Sequence, residues 1–155
     1  MVARRPMALA AGTVLVLEAA GLVLLHMVLA EVMGGQRMSL DGLDPGLMVT
    51  AIRVMGLVFG AYLALCGVLL LRTGVRDRVP GRPTRILLVS CAITHGVLGA
   101  LTVGLVGWGA FVLMMVVLGL VVASLVLYAP EAGGEPAPPA AEPVRPAEGG
   151  GAAPA

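Results

Sequence analysis

Four long apolar runs, over about 7–33, 45–71, 86–106 and 109–128, constrain this chain more than anything else it carries. An apolar run of about 18 residues or more reads as a spanning helix. Roughly 20 residues at 1.5 Å rise are needed to cross a ~30 Å hydrocarbon core. The composition agrees: 59% of the 155 residues are hydrophobic and only 12% are charged. Soluble domains carry about a quarter charged residues. With so little charge to cover a wet surface, most of the chain must have lipid as its solvent.

The boundaries have local causes. Arg4, Arg5 and Pro6 precede the first run, and Gly34-Gly35 closes it. Asp44-Pro45 opens the second as an N-cap followed by proline at the first helical position. Thr84 and Arg85 mark the start of the third, and Gly107-Trp108-Gly109 forms the turn into the fourth. The first run is too long for a signal-peptide core and contains Glu18, so it reads as a retained span. Residues 130–155 are mostly Pro, Ala, Gly and Glu, with almost nothing to bury, which predicts a disordered tail. The expected fold is therefore an all-α membrane protein, a four-transmembrane-helix bundle over 1–129 followed by that tail.

Orientation follows from the arginines. Arg72, Arg76, Arg78, Arg82 and Arg85 crowd the second connection against a single acid, Asp77. Arg4 and Arg5 sit at the N-terminus, whereas the first connection holds only Arg37 and the third holds none. By the positive-inside rule both termini and the arginine loop are cytoplasmic, in a multi-pass protein of the cell membrane. Such a loop lies against anionic headgroups. Trp108 and Tyr128 fall at opposite interfaces. A net charge of +1 gives no field for nucleic acid.

Three strings, GLDPGLM, LALCGVLLLRTGVRDRVPGR and RILLVSCAITHGVLGALTVGLVGWGAF, resemble small four-helix membrane proteins of high-GC actinobacteria. The resemblance covers most of the chain up to Tyr128. It implies the same topology and no particular chemistry.

Polar residues inside the spans are the candidate site. A carboxylate at mid-membrane costs about 2.5–3.5 kcal/mol on insertion scales, and one interhelical hydrogen bond returns only ~0.6. Glu18 must therefore be neutral, paired or facing water. Counting from the cytoplasmic ends, Glu18 lies ~16 Å deep, and His95 and Tyr62 ~13 Å. The three form a candidate intramembrane polar cluster. Arg53 and Glu31 are expected to pair near the outer interface. Cys66 and Cys91 fall at one depth on the reducing side and read as packing residues. Gly56, Gly60 and Ala64 on the second helix, and Ala92, Gly96, Ala100 and Gly104 on the third, have the small-xxx-small spacing of close helix contacts. Those contacts lie either within the bundle or between protomers.

No catalytic set, metal-ligand cluster, phosphate loop or cofactor motif appears in the sequence. The expectation is a non-enzymatic structural or accessory membrane component. Its partners are the lipid bilayer and a second copy or another membrane protein. The alternative is a small proton-coupled transporter using Glu18, since Glu18-Ala19-Ala20-Gly21 is similar to the Glu-x-x-Gly of small multidrug resistance proteins. That likeness is confined to four residues. The aromatic residues of those proteins' later spans are missing here, and the cytoplasmic loop is too long.

Overall fold

The computed structural model describes residues 4–36, 42 and 44–129. The tail at 130–155 and Arg37 lie outside them. Four helices account for nearly all of the described chain: α1 Arg4–Gln36, α2 Pro45–Arg76, α3 Arg82–Leu105 and α4 Trp108–Leu127. Each is long and apolar enough to cross a membrane, which is the make-up of a multi-pass membrane protein.

Local chemistry sets the ends. The Asp44 carboxylate accepts from the backbone N–H of Gly46 at 2.7 Å and of Leu47 at 3.2 Å, ahead of Pro45. At the other end of α2 the chain leaves through Asp77 in the left-handed region, at φ 48°. The helix runs past Leu71 as far as Arg76, and Arg72 and Arg76 are good helix formers. Between α3 and α4, Gly107 adopts φ 115° and ψ 179°, a region essentially reserved for glycine.

Each helix packs on its neighbours in sequence, and α4 returns to α1, so the four form a closed ring of antiparallel helices. The backbones of α1 and α3, which face each other across the diagonal, do not approach closely. The tightest contact is α1 on α2. On α2 the buried positions Gly56, Gly60, Leu63, Gly67, Leu70 and Gly74 alternate in steps of four and three residues. That is the 3.5-residue repeat of a left-handed helix pair. At Gly12 and Gly67 it brings backbone against backbone. A Cβ added at Gly67 would lie 2.9 Å from the Gly12 carbonyl oxygen and 2.8 Å from Val16 Cγ2.

The core comprises Leu15 and Ala19 of α1, Leu63, Cys66 and Leu70 of α2, Leu88 and Cys91 of α3, and Val117 and Val121 of α4, with smaller neighbours. All of these belong to the half of the bundle nearer the arginine loop. Towards the other end α1 and α2 stay together through His26, Gly56 and Ala30, whereas Leu101, Leu105 and Trp108 are exposed.

Candidate functional site

His95 on α3 is 1% exposed and points across the bundle diagonal to Glu18 on α1. Its Nε2 lies 3.0 Å from Glu18 Oε2. Its Nδ1 lies 2.8 Å from the carbonyl oxygen of Cys91, one turn earlier on α3. A carbonyl can only accept, so Nδ1 carries a hydrogen in this arrangement. The Nε2–Oε2 contact then needs one further proton. It sits either on Nε2, making an imidazolium–carboxylate pair, or on Oε2, making a neutral acid that donates to a neutral imidazole. Both forms are electroneutral, which suits a low-dielectric interior. Removing that proton would leave two lone pairs facing each other and a net negative charge.

Glu18 is not sealed. Its side chain is 15% exposed against 2% for His95. It lines a cleft of about 280 Å³ between α1 and α4, whose other walls are Val14, Leu17, Leu113 and Val117. The one polar group of this cleft is thus a carboxyl held from behind by a histidine.

Tyr62 does not join the pair. Its hydroxyl donates to Ser90 Oγ on α3 at 3.0 Å, a partner that depth counting did not single out. The residue that does extend the pair is Cys91. Cys91 Sγ is 3.6 Å from His95 Nδ1, and the Cys66 thiol on α2 reaches the Leu87 carbonyl oxygen of α3 at 4.0 Å. Both are buried free thiols inside the packed core. A polar thread therefore runs from Cys91 through His95 on α3 to Glu18 on α1. Its legible signal was the i, i+4 spacing of Cys91 and His95, which puts both on one helix face.

Arg53 Nη2 pairs with Glu31 Oε1, and both side chains are largely exposed, so the pair adds at most about 1 kcal/mol. Among the expected packing residues, Gly56 and Gly60 lie under His26 and Val23 of α1, and Ala64 is half-buried. On α3 Ala92 is buried and Gly96 half-buried, but Ala100 and Gly104 are exposed. The close α3–α4 approach is instead at Gly99, against Met114 and Met115.

A second polar cluster ties one end of the bundle together. Arg4 of α1 donates to Asp77 Oδ1 through Nη2 at 3.2 Å and Nε at 3.3 Å. The Tyr128 hydroxyl donates to the same oxygen at 3.0 Å. The Arg4 guanidinium also lies 4.7 Å from the centre of the Tyr128 ring. Arg5 donates to the carbonyls of Gly74 and Val75, which end α2. The start of α1, the α2–α3 connection and the end of α4 thus share one face.

Desolvation alone would raise the Asp77 carboxyl. The hydrogen bond from Tyr128 and the charge and hydrogen bonds of Arg4 outweigh it and hold the group below the usual carboxylate range. Desolvation and the hydrogen bond to Asp77 push the Tyr128 hydroxyl up. A carboxyl depressed on folding contributes stability above its unfolded value of about 3.9, lost as pH falls through the lower folded value. Asp77→Asn is therefore expected to flatten the acid limb of stability against pH, read by thermal unfolding. An unchanged limb would mean that the cluster contributes nothing.

The fold and site together define a four-helix, antiparallel membrane bundle with an intramembrane carboxyl–imidazole pair joining opposite helices. The chain matches no protein-family model, no curated protein and no solved structure.

Proposed function

We propose that this protein is a non-enzymatic structural or accessory component of the cell membrane, with the termini and the arginine loop in the cytoplasm. The observation that carries this reading is how the polar groups of the spanning helices are used. Glu18 meets His95, His95 meets Cys91, and Tyr62 meets Ser90. Among the described residues no buried side-chain nitrogen or oxygen lacks a partner. Two of these contacts, Glu18–His95 and Tyr62–Ser90, fix one helix against another, and the buried hydroxyls of Thr73 and Ser124 are satisfied within their own helices. The orientation is supported by the clustering of Arg4, Arg5 and Arg72 to Arg85 at one end. A partner, a second copy or another membrane protein, is expected to co-purify in mild detergent.

One observation favours a second reading, proton-coupled exchange at Glu18. The pair holds a single transferable proton, and its carboxyl side opens to an apolar cleft rather than to packed side chains. A lipophilic cation could take the place of that proton without changing the net charge.

The two readings separate in one comparison, wild type against Glu18→Gln in detergent, unfolded thermally across about pH 5 to 9. The structural reading expects Gln to lower stability near neutrality by about 1.5–3 kcal/mol, the worth of a hydrogen bond to a charged group. If Gln is neutral or stabilising and removes a pH dependence seen in wild type, the chain maintains a costly titratable acid. Proton-coupled exchange then becomes the better account, and pH-driven efflux of a lipophilic cation is its direct assay.

A further inference from the structure

We propose that a recess between the end of α2 and the start of α3 binds the phosphate of an anionic phospholipid, holding one lipid in place at this end of the bundle. The recess has a volume of about 250 Å³ and is lined by Arg72, Arg76 and Arg78, by Thr84, and by the apolar Leu69 and Pro80. Three guanidinium groups around one cavity would repel each other unless an anion lies between them.

The chain does not supply that anion from nearby. Asp77 is the one acid between Arg72 and Arg85, and its Oδ1 already accepts from Arg4 and Tyr128. None of Arg72, Arg76 and Arg78 makes an ion pair or a side-chain hydrogen bond with a described residue; the ion pairs among the described residues are Arg4–Asp77, Arg53–Glu31 and His95–Glu18. The negative end of α2, which would disfavour an anion, is covered because Arg5 donates to the Gly74 and Val75 carbonyls. Basic recesses between spanning helices on the cytoplasmic side take anionic headgroups.

The wall chooses between a lipid phosphate and a free one. Leu69 lies nearly one turn deeper along α2 than Arg72, so the recess has an apolar wall on its deeper side. A diacylglycerol attached to the phosphate would lie along that surface, whereas free phosphate has nothing to place there.

The test uses the purified full chain, so that the glutamates of the tail compete as they do natively. The chain is titrated in detergent with phosphatidylglycerol or phosphatidylcholine, and bound lipid is counted by native mass spectrometry. Phosphatidylglycerol is expected to be retained and phosphatidylcholine not. Arg72→Gln with Arg76→Gln should weaken retention about thirty-fold, at about five-fold for each arginine. Arg82→Gln with Arg85→Gln removes the same charge from the same connection but outside the lining, and should leave retention near wild type. Arg72→Lys with Arg76→Lys should recover most of the loss, which separates lost charge from lost fold. Equal retention of both lipids, or equal weakening by the two Gln pairs, would overturn the proposal, because the arginines would then act only as diffuse charge. Displacement of the lipid by millimolar inorganic phosphate would also overturn it, in favour of a soluble phosphate site.

Discussion

Gly67→Leu is expected to lower stability by about 3 kcal/mol or more, towards or beyond the top of the range for overpacking. The reason is what an added side chain meets. At Gly67 a Cβ would lie 2.9 Å from a backbone oxygen, that of Gly12, and 3.1 Å from the Val16 nitrogen. Neither can rotate away, so α1 and α2 must separate along their whole seam. Gly21→Leu is the matched control, because nothing lies within 4 Å of a Cβ there. It should change stability by less than about 0.5 kcal/mol. Unfolding midpoints in a detergent titration decide the matter. Equal effects of the two substitutions would mean that the α1–α2 seam is not closely packed.

His95→Leu should cost about 2–4 kcal/mol. Breaking a buried pair by removing one partner runs to 3–5 kcal/mol, and here the carboxyl can relieve part of that by taking a proton in its cleft. The informative construction is the double variant with Glu18→Leu. Replacing both members by apolar residues of similar size removes the stranded acid and should restore more than half of the loss. A double variant as unstable as the sum of the two singles would show that the residues do not interact.

Length and composition made the four spans legible, because nothing else accommodates such runs with so little charge. Depth was legible too: counting rise along α1 and α3 brought Glu18 and His95 to one layer. Rotation about each helix axis was not. Tyr62 shares that layer and yet turns to Ser90, since rise carries no information about angle. The small residues of α3 show the same limit. Steps of four advance a helix by one turn and a ninth, a drift of about 40° each. Ala92 therefore starts buried, while Ala100 and Gly104 finish exposed. On α2 the drift is cancelled where steps of three alternate with steps of four, and glycine stays on the seam as far as Gly74. The Arg4–Asp77–Tyr128 cluster was hidden for a different reason. Its members are far apart in sequence, and an aromatic residue at a span end is explained as well by the interface as by a partner.

Because Glu18 and His95 stand 77 residues apart on helices whose backbones do not touch, the order of synthesis matters to the bilayer. The α1–α2 hairpin can close on its own glycine seam as soon as it is made. Its acid then waits without its partner until α3 arrives, on the order of a few seconds at ordinary elongation rates. In that interval a neutral, protonated Glu18 is the form that lipid tolerates. Docking of the second hairpin is then the moment at which this carboxyl first gains its imidazole partner, so the pair also records that assembly of the bundle is complete.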